Sequence, residues 1–483
     1  MPDLRPVGYI IGLMVTTLGG VMLLPVVADL AAGNPNWRPM LTSALLTAMC
    51  GALVALACAN SVGPSLDIRQ SFVLTTCVWI ALPLFGALPF MLGAPGVRFV
   101  DAFFEAMSGM TTTGTTVFTG LDEMPPGVLL WRALLQWIGG LGIIIVALIF
   151  LPVMKVGGMQ YFRSEAFDTL GKVLPRVLDI SRALVEVYFA LTAACAIVYF
   201  AMGMEAFDAI CHAMTTIATG GFATSDASFT IYSGPIEYAA AFFMVAAGLP
   251  FVRYVQLATG SAWPLLRDVQ VRAYLRWTAY AVGAVVIWRL LVEDVAAPVA
   301  LRESLFNVIS LFSGTGYGSA DVSEWGNFPL AVVFVAGLIG ACTASTGCSV
   351  KVFRYLVLFE AIKAQVRRIH SPSRMVQVRL DGRLLDDEVI SSVIALFTLF
   401  MLTLGVTTVA LSLTGLDSRT ALTAAWTSVA NIGPVYGPEV GPTGAADGFP
   451  DASKWTMIVA MLLGRLELLS VLVLLLPRFW RGA

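Results

Sequence analysis

Ten stretches of this chain are apolar for long enough to cross a hydrocarbon layer. They begin near Val7, Leu41, Phe72, Val128, Leu184, Ile236, Tyr274, Phe328, Val389 and Trp455. About 20 apolar residues make a spanning helix, and inside lipid only helices or closed barrels satisfy their own backbone. With 58% hydrophobic and 12% charged residues over 483 positions, the chain lies far outside the composition of a soluble protein of this length. The reading is an all-α integral membrane protein with ten spans. The first run continues to about Ala32 without a small-residue cleavage site, so it is read as a retained helix rather than a signal peptide.

A net charge of -2 says little, but the placement of charge says more. Basic residues crowd alternate connections: Lys155, Arg163, Lys172, Arg176 and Arg182; then Arg253, Arg267, Arg272 and Arg276; then Lys363, Arg367, Arg368, Arg374, Arg379 and Arg383. The other connections carry Asp122, Glu123, Asp226, Glu237, Asp321, Glu324, Glu439, Asp447 and Asp451 with few cations. An excess of Lys and Arg marks the cytoplasmic side, which puts both termini inside. The seven cysteines fall in or beside apolar runs without metal-type spacing, and are read as packing residues.

Between the spans lie four shorter segments: "FFEAMSGMTTTGTT", "AICHAMTTIATGGF", "LFNVISLFSGTGYG" and "LTAAWTSVANIGPVYG". Apolar runs of about 10–14 residues are too short to span and suit re-entrant segments. Aligning Gly114, Gly220, Gly316 and Gly433 tests whether the four are copies. Counting back from each glycine gives Phe103, Met107 and Met110; Ala209, Ala213 and Thr216; Leu305, Ile309 and Phe312; Leu422, Trp426 and Val429. One apolar helix face recurs in every copy, with Thr216 as the exception. The repeat unit is span, short re-entrant helix, glycine-bearing extended stretch, span. The chain divides into an N-terminal pair of spans over 1–70 and four pore repeats over 71–182, 183–272, 273–387 and 388–483.

Irregular backbone at membrane depth persists only where it is packed in protein or lines water, so the four stretches should converge. Their carbonyl oxygens can then replace the hydration shell of a permeating cation, as in potassium filters. Glycine suits such a site because successive carbonyls face one axis only if alternate residues adopt angles costly to a residue with a Cβ. Helices of about twelve residues, roughly 18 Å long, would aim their carbonyl ends at the same ion. Thr113, Thr219 and Thr315 precede three of the glycines and Ile432 the fourth, which points to backbone oxygens as ligands.

The residues "TTTGTTVFTGLDEMPPG", "LLQWIGGLGI", "TTIATGGFAT", "SGTGYG", "NIGPVYGP" and "LLGRLE" resemble those of the Trk/Ktr/HKT superfamily of potassium transporters, and most of all its bacterial Trk-type membrane subunit. The resemblance covers essentially the whole chain, including the N-terminal pair. It implies potassium as the transported ion, with no bound organic cofactor. It also implies a filter of Gly114, Gly220, Gly316 and Gly433 with ion-facing carbonyls from Thr112, Thr113, Ala218, Thr219, Gly314, Thr315, Asn431 and Ile432. Glycine at 114, where related plant proteins that admit sodium carry serine, favours potassium. Besides membrane lipid, the implied partners are a second copy of the chain and a cytosolic nucleotide-binding regulatory subunit. No nucleic acid is implied.

"GACTASTGCSVK", Gly340 to Lys351, interrupts the run that begins near Phe328 with small residues and hydroxyls that can satisfy released backbone groups. The resemblance makes it an intramembrane gate beneath the filter, involving Gly340, Ala341, Thr343, Ser345, Thr346, Gly347 and Lys351; a passive kink is the alternative. Family patterns are more glycine-rich here. Arg465, deep in the last run, is a functional candidate by position. It contacts the gate or forms a cationic barrier, or else pairs with Glu467 or helix-end carbonyls. Lys351 and Arg354 can also snorkel to the surface. Enzymatic signatures such as HExxH and GxSxG are missing, and His212 reads as a packed histidine. A proton- or sodium-coupled carrier with alternating access is the rival transport reading.

Overall fold

The computed structural model describes residues 3–61, 66–146, 177–371, 376–466 and 468–480. Lys155, Arg163, Lys172, Arg176, Arg374 and Glu467 lie outside the described residues. Among those described, the only strands are a small antiparallel hairpin, Arg379–Leu380 with Arg383–Leu384.

Among the described residues, seven helical spans are long and apolar enough to cross a membrane: Arg5–Ala31, Trp37–Cys58, Ile68–Leu92, Pro126–Ile145, Asp179–Ala201, Val269–Val292 and Asp387–Leu413. The other three apolar runs are interrupted. Ile236–Ala247 and Phe251–Ala258 meet at 94°. Asp451–Arg465 gives way to a short helix beginning at Leu469. Asn327–Ile339 is separated from Val352–His370 by the stretch Gly340 to Lys351. The sequence points to the last of these breaks but not to the first two. The bend after Ala247 follows from Pro250, which has no N–H to give and bars its predecessor from helical angles.

Exposed leucines such as Leu56, Leu291 and Leu413, at 72%, 79% and 83%, belong to an outer surface suited to lipid. The N-terminal pair crosses closely because a Cβ on Gly12 would lie 2.7 Å from Gly51 O, and one on Gly51 would lie 2.7 Å from Gly12 O. Two buried polar side chains fasten this pair to the rest. Asp29 accepts from Gly127 N at 2.6 Å and from Asn36 Nδ2 at 3.0 Å, while Asn36 Oδ1 accepts from Ala94 N at 2.8 Å.

Four short helices, Phe99–Met110, Ala206–Ile217, Ala297–Ser313 and Ser418–Ala430, enter the bundle and stop inside it. The third is 17 residues, longer than the expected dozen. Its extra N-terminal turn, Ala297 to Ala300, precedes Arg302 and Glu303, which pair with Glu237 at 3.1 Å and Arg289 at 2.8 Å.

Candidate functional site: a four-part ring and the loop beneath it

Each short helix ends in the same backbone sequence. A left-handed residue follows the helix: Thr112 at φ 51°, Thr219 at 52°, Gly314 at 81° and Asn431 at 51°. Two places on comes a left-handed glycine: Gly114 at 90°, Gly221 at 75°, Gly316 at 84° and Gly433 at 115°. The residue between them donates its N–H to a carbonyl of the last helical turn. Thr113 N reaches Ser108 O at 2.9 Å, Gly220 N reaches Thr215 O at 2.9 Å, Thr315 N reaches Ser310 O at 2.8 Å, and Ile432 N reaches Thr427 O at 3.1 Å. The turn thus satisfies a helix-end carbonyl, and the alternating left-handed angles direct successive carbonyls the same way.

This geometry moves the second copy by one residue from its place in the sequence alignment. Gly221, not Gly220, is the counterpart of Gly114, Gly316 and Gly433. Gly220 matches Thr113, and Thr219 matches Thr112, so Ala218 falls back to the level of Thr111. The shift also removes the one irregularity of the repeat, because counting back from Gly221 gives Ile210, Met214 and Ile217 in place of Ala209, Ala213 and Thr216. A glycine pair, "TGGF", concealed the register.

The four turns close on one another. A Cβ on Gly114 would overlap the Gly220 carbonyl, one on Gly221 that of Thr315, and one on Gly316 that of Ile432. On Gly433 it would stand 3.0 Å from Thr113 O. Each segment therefore abuts the next and the fourth returns to the first. All four glycines line a single cavity of about 520 Å³, together with Tyr317, Pro434, Asp226 and Asp321.

Side chains that sequence reading did not single out hold this ring. Gln136 donates Nε2 to Gly220 O at 2.7 Å and accepts from Phe222 N at 3.0 Å, bracketing the second segment. Thr115 Oγ1 donates to Gly433 O at 2.7 Å. Glu105 and Arg132 form a fully buried pair at 2.8 Å. Glu105 also accepts from Val117 N at 3.0 Å; Arg132 donates to Ala223 O at 2.8 Å and covers the Phe222 ring at 4.2 Å. Such a pair is tolerable only when its remaining hydrogen-bonding groups are also satisfied. The available signal was a Glu, an Arg and a Gln inside apolar runs, at the depth where polar residues carry a role.

The loop Gly340 to Lys351 packs against the helix-side end of the ring. Gly340 at φ 74° ends one helix and Lys351 at φ 77° starts the next. Ala341, Thr343, Ser345 and Thr346 are all buried, and a Cβ on Gly347 would lie 2.8 Å from Ser313 O. The bend of the second repeat receives the loop. Cys342 N donates to Gly248 O at 3.0 Å, Phe251 N to Ala344 O at 2.9 Å, and Thr346 Oγ1 to Ala247 O at 3.1 Å. Thr343 N donates to Gln270 Oε1 at 3.0 Å, and Ser345 Oγ to Cys342 O at 2.6 Å. Cys348 Sγ lies 3.8 Å from Thr112 Oγ1. Buried Arg465 spans the loop and the first repeat: its guanidinium contacts Cys348 Sγ, sits 3.5 Å from Thr346 O and 3.2 Å from Gly139 O, and lies over the Trp79 ring at 5.4 Å. The geometry thus joins Arg465 to the loop and to carbonyls.

A bundle of apolar helices enclosing four re-entrant segments that close into one ring has the architecture of a polytopic membrane transport protein. The TrkH family of cation transport proteins matches residues 40–481, and the chain belongs to that family. It is 41% identical over 419 residues to the Trk system potassium uptake protein TrkI of Halomonas elongata, covering 86% of this chain and 85% of that one. It is 32% identical over 487 residues to the Trk system potassium uptake protein TrkH of Escherichia coli K12, covering 99% of each. The crystal structure of the potassium transporter TrkH from Vibrio parahaemolyticus superimposes with a TM-score of 0.91 at 30% identity, over 99% of this chain and 100% of the other. These are transporters, and the chain is a transporter rather than an enzyme.

Proposed function

We propose that the protein takes up potassium across the bacterial cytoplasmic membrane through a channel-like pore. The ion sheds water in the cavity above the ring and binds to carbonyls of Thr112 and Thr113, Thr219 and Gly220, Gly314 and Thr315, and Asn431 and Ile432. Gly114, Gly221, Gly316 and Gly433 permit their approach. The observation that carries this reading is the closed cycle of contacts from one segment to the next, which gathers backbone oxygens from all four repeats about one axis. The names of the relatives supply the ion. A carrier with alternating access uses inverted repeats that rock against each other, whereas four segments locked edge to edge favour a fixed path. An inside-negative potential contributes about 2.3 kcal/mol per charge for each 100 mV, enough to drive accumulation.

In this reading the Gly340–Lys351 loop is the gate, with Gly340, Ala341, Thr343, Ser345, Thr346, Gly347 and Lys351 forming it and Arg465 latching it. Both termini face the cytoplasm. The exposed basic residues Lys363, Arg367, Arg368, Arg379 and Arg383 form a docking surface for a nucleotide-sensing regulatory subunit, and the protein works as a homodimer. Rubidium uptake into liposomes holding the purified protein, with external potassium or sodium as competitor, tests the core of the proposal. Potassium should compete far better than sodium; equal competition would remove the filter assignment.

A further inference from the structure

The ring has four seams, and they are not built alike. At three of them the glycine backbone sits so close to the next segment's carbonyl that a Cβ would overlap it. At the seam between the fourth and first segments the same atom would stand 3.0 Å away, so backbone contact there is loosest. It is also where residues 318 positions apart must meet.

Two side-chain bonds cross this seam. Thr115 Oγ1 reaches Gly433 O, as described above. Asn431 Nδ2 donates to Thr113 Oγ1 at 2.8 Å and to Met461 O at 3.1 Å. A carbonyl oxygen only accepts, so the Met461 contact fixes which way the amide points. The hydroxyls on the other side are ordered as well. Thr111 Oγ1 donates to Met107 O at 2.7 Å, so in its 2.8 Å contact with Thr113 Oγ1 it is Thr113 that donates. The lone pairs of Thr113 are left to accept from Asn431. Every hydrogen in the chain Asn431, Thr113, Thr111, Met107 therefore has one place.

The opposite seam, between the second and third segments, is bridged by a different group: Tyr317 Oη contacts Thr215 Oγ1 and donates to His212 O at 3.2 Å. Ser313 and Thr315 make the same hydroxyl pair at 2.8 Å. The residue in the position of Asn431 is Thr219, whose hydroxyl turns back to its own Ala218 O at 2.7 Å and does not cross.

We infer that Asn431 is a specificity-determining positioning residue, whose side-chain amide closes the loosest seam of the ring and fixes the carbonyl spacing on which the choice between potassium and sodium depends. The inference rests on the ring being the ion-selective element. Discrimination by carbonyls depends on their number and placement, so releasing one seam should reduce it while a path remains.

The test is rubidium uptake into proteoliposomes with potassium or sodium as competitor. Asn431→Gly keeps the left-handed angle accessible and removes the bridge together with the bond to Met461 O. Thr113→Val removes the same bridge from the other side, and serves if the first variant does not fold. Each should lower the preference for potassium over sodium by about tenfold, the scale of one buried hydrogen bond. The double variant should lose no more than either alone, and Thr113→Ser should recover most of what Thr113→Val loses. Wild-type ratios in both single variants, with Gly114→Ser still shifting the ratio, would overturn the inference and leave the filter standing. Multiplying losses in the double variant would overturn it too. An unmoved ratio in Gly114→Ser as well would remove the filter reading and this inference with it.

Discussion

The ring and the loop beneath it both place non-helical backbone inside the protein, and they do so by opposite means. The ring uses one backbone turn four times, and its segments support one another edge to edge. The loop occurs once, in the third repeat, and rests on a bend in the second repeat and an arginine from the last span. A structure shared by four copies is built chiefly from glycine angles and carbonyls, with side chains such as Gln136 and Asn431 added at single seams. One that occurs singly needs particular side chains around it, and can move without carrying the others along.

The largest expected effect separates these two kinds of construction at the shifted glycine. Gly221→Ala forces a Cβ into the Thr315 carbonyl at a left-handed angle. Rubidium uptake should fall by about 100-fold, equivalent to roughly 2.7 kcal/mol, within the range of such backbone strain. For Gly220→Ala the nearest atoms to the added Cβ belong to the Gln136 amide, a side-chain end rather than backbone, and this variant should lose less. The reverse order would return the register to the sequence alignment. Next comes Gly114→Ser, which should weaken discrimination against sodium by about tenfold through displacement of the facing Gly220 carbonyl; unchanged selectivity in the competition assay would count against the ring as filter.

The loop should respond in the opposite direction. Deleting residues 343 to 347 should raise basal rubidium flux several-fold while leaving potassium preference in place, and an unaltered basal rate would remove the gate assignment. Thr346→Val, which cancels the bond to Ala247 O, should give the smallest change. A rise in basal flux of about twofold is expected, the low end for one buried hydrogen bond. A change in selectivity instead of basal flux would mean that ring and loop are one mechanical unit.

Much of this division was legible in the sequence, and for a physical reason. Ten apolar runs mark ten places in the bundle because lipid demands length and apolarity of each. The four short segments could be aligned because the same turn imposes the same residue types. Thr216 was the visible sign that one alignment was off by a residue, since a polar residue does not suit the apolar face of a re-entrant helix. The bend at Gly248–Pro250 escaped because it lies inside an apolar run, although Pro250 was there to be read. Gln136 and Arg132 escaped as supports of the ring because their partners Gly220 and Ala223 lie in another repeat, and Glu105 because Val117 lies twelve residues on, past the glycine turn, outside helical spacing. The loop was found as a break in composition, but its seat on Ala247 and Gly248 was not, because a feature present once offers no second copy for comparison.

All four quadrants of the ring belong to one polypeptide. An assembly of four identical subunits would have to install any gate, latch or asymmetric clamp four times over, at every corner of the pore. A single chain can alter one quadrant and leave three alone, which is how a near-symmetric ring can sit above a loop that enters from one side.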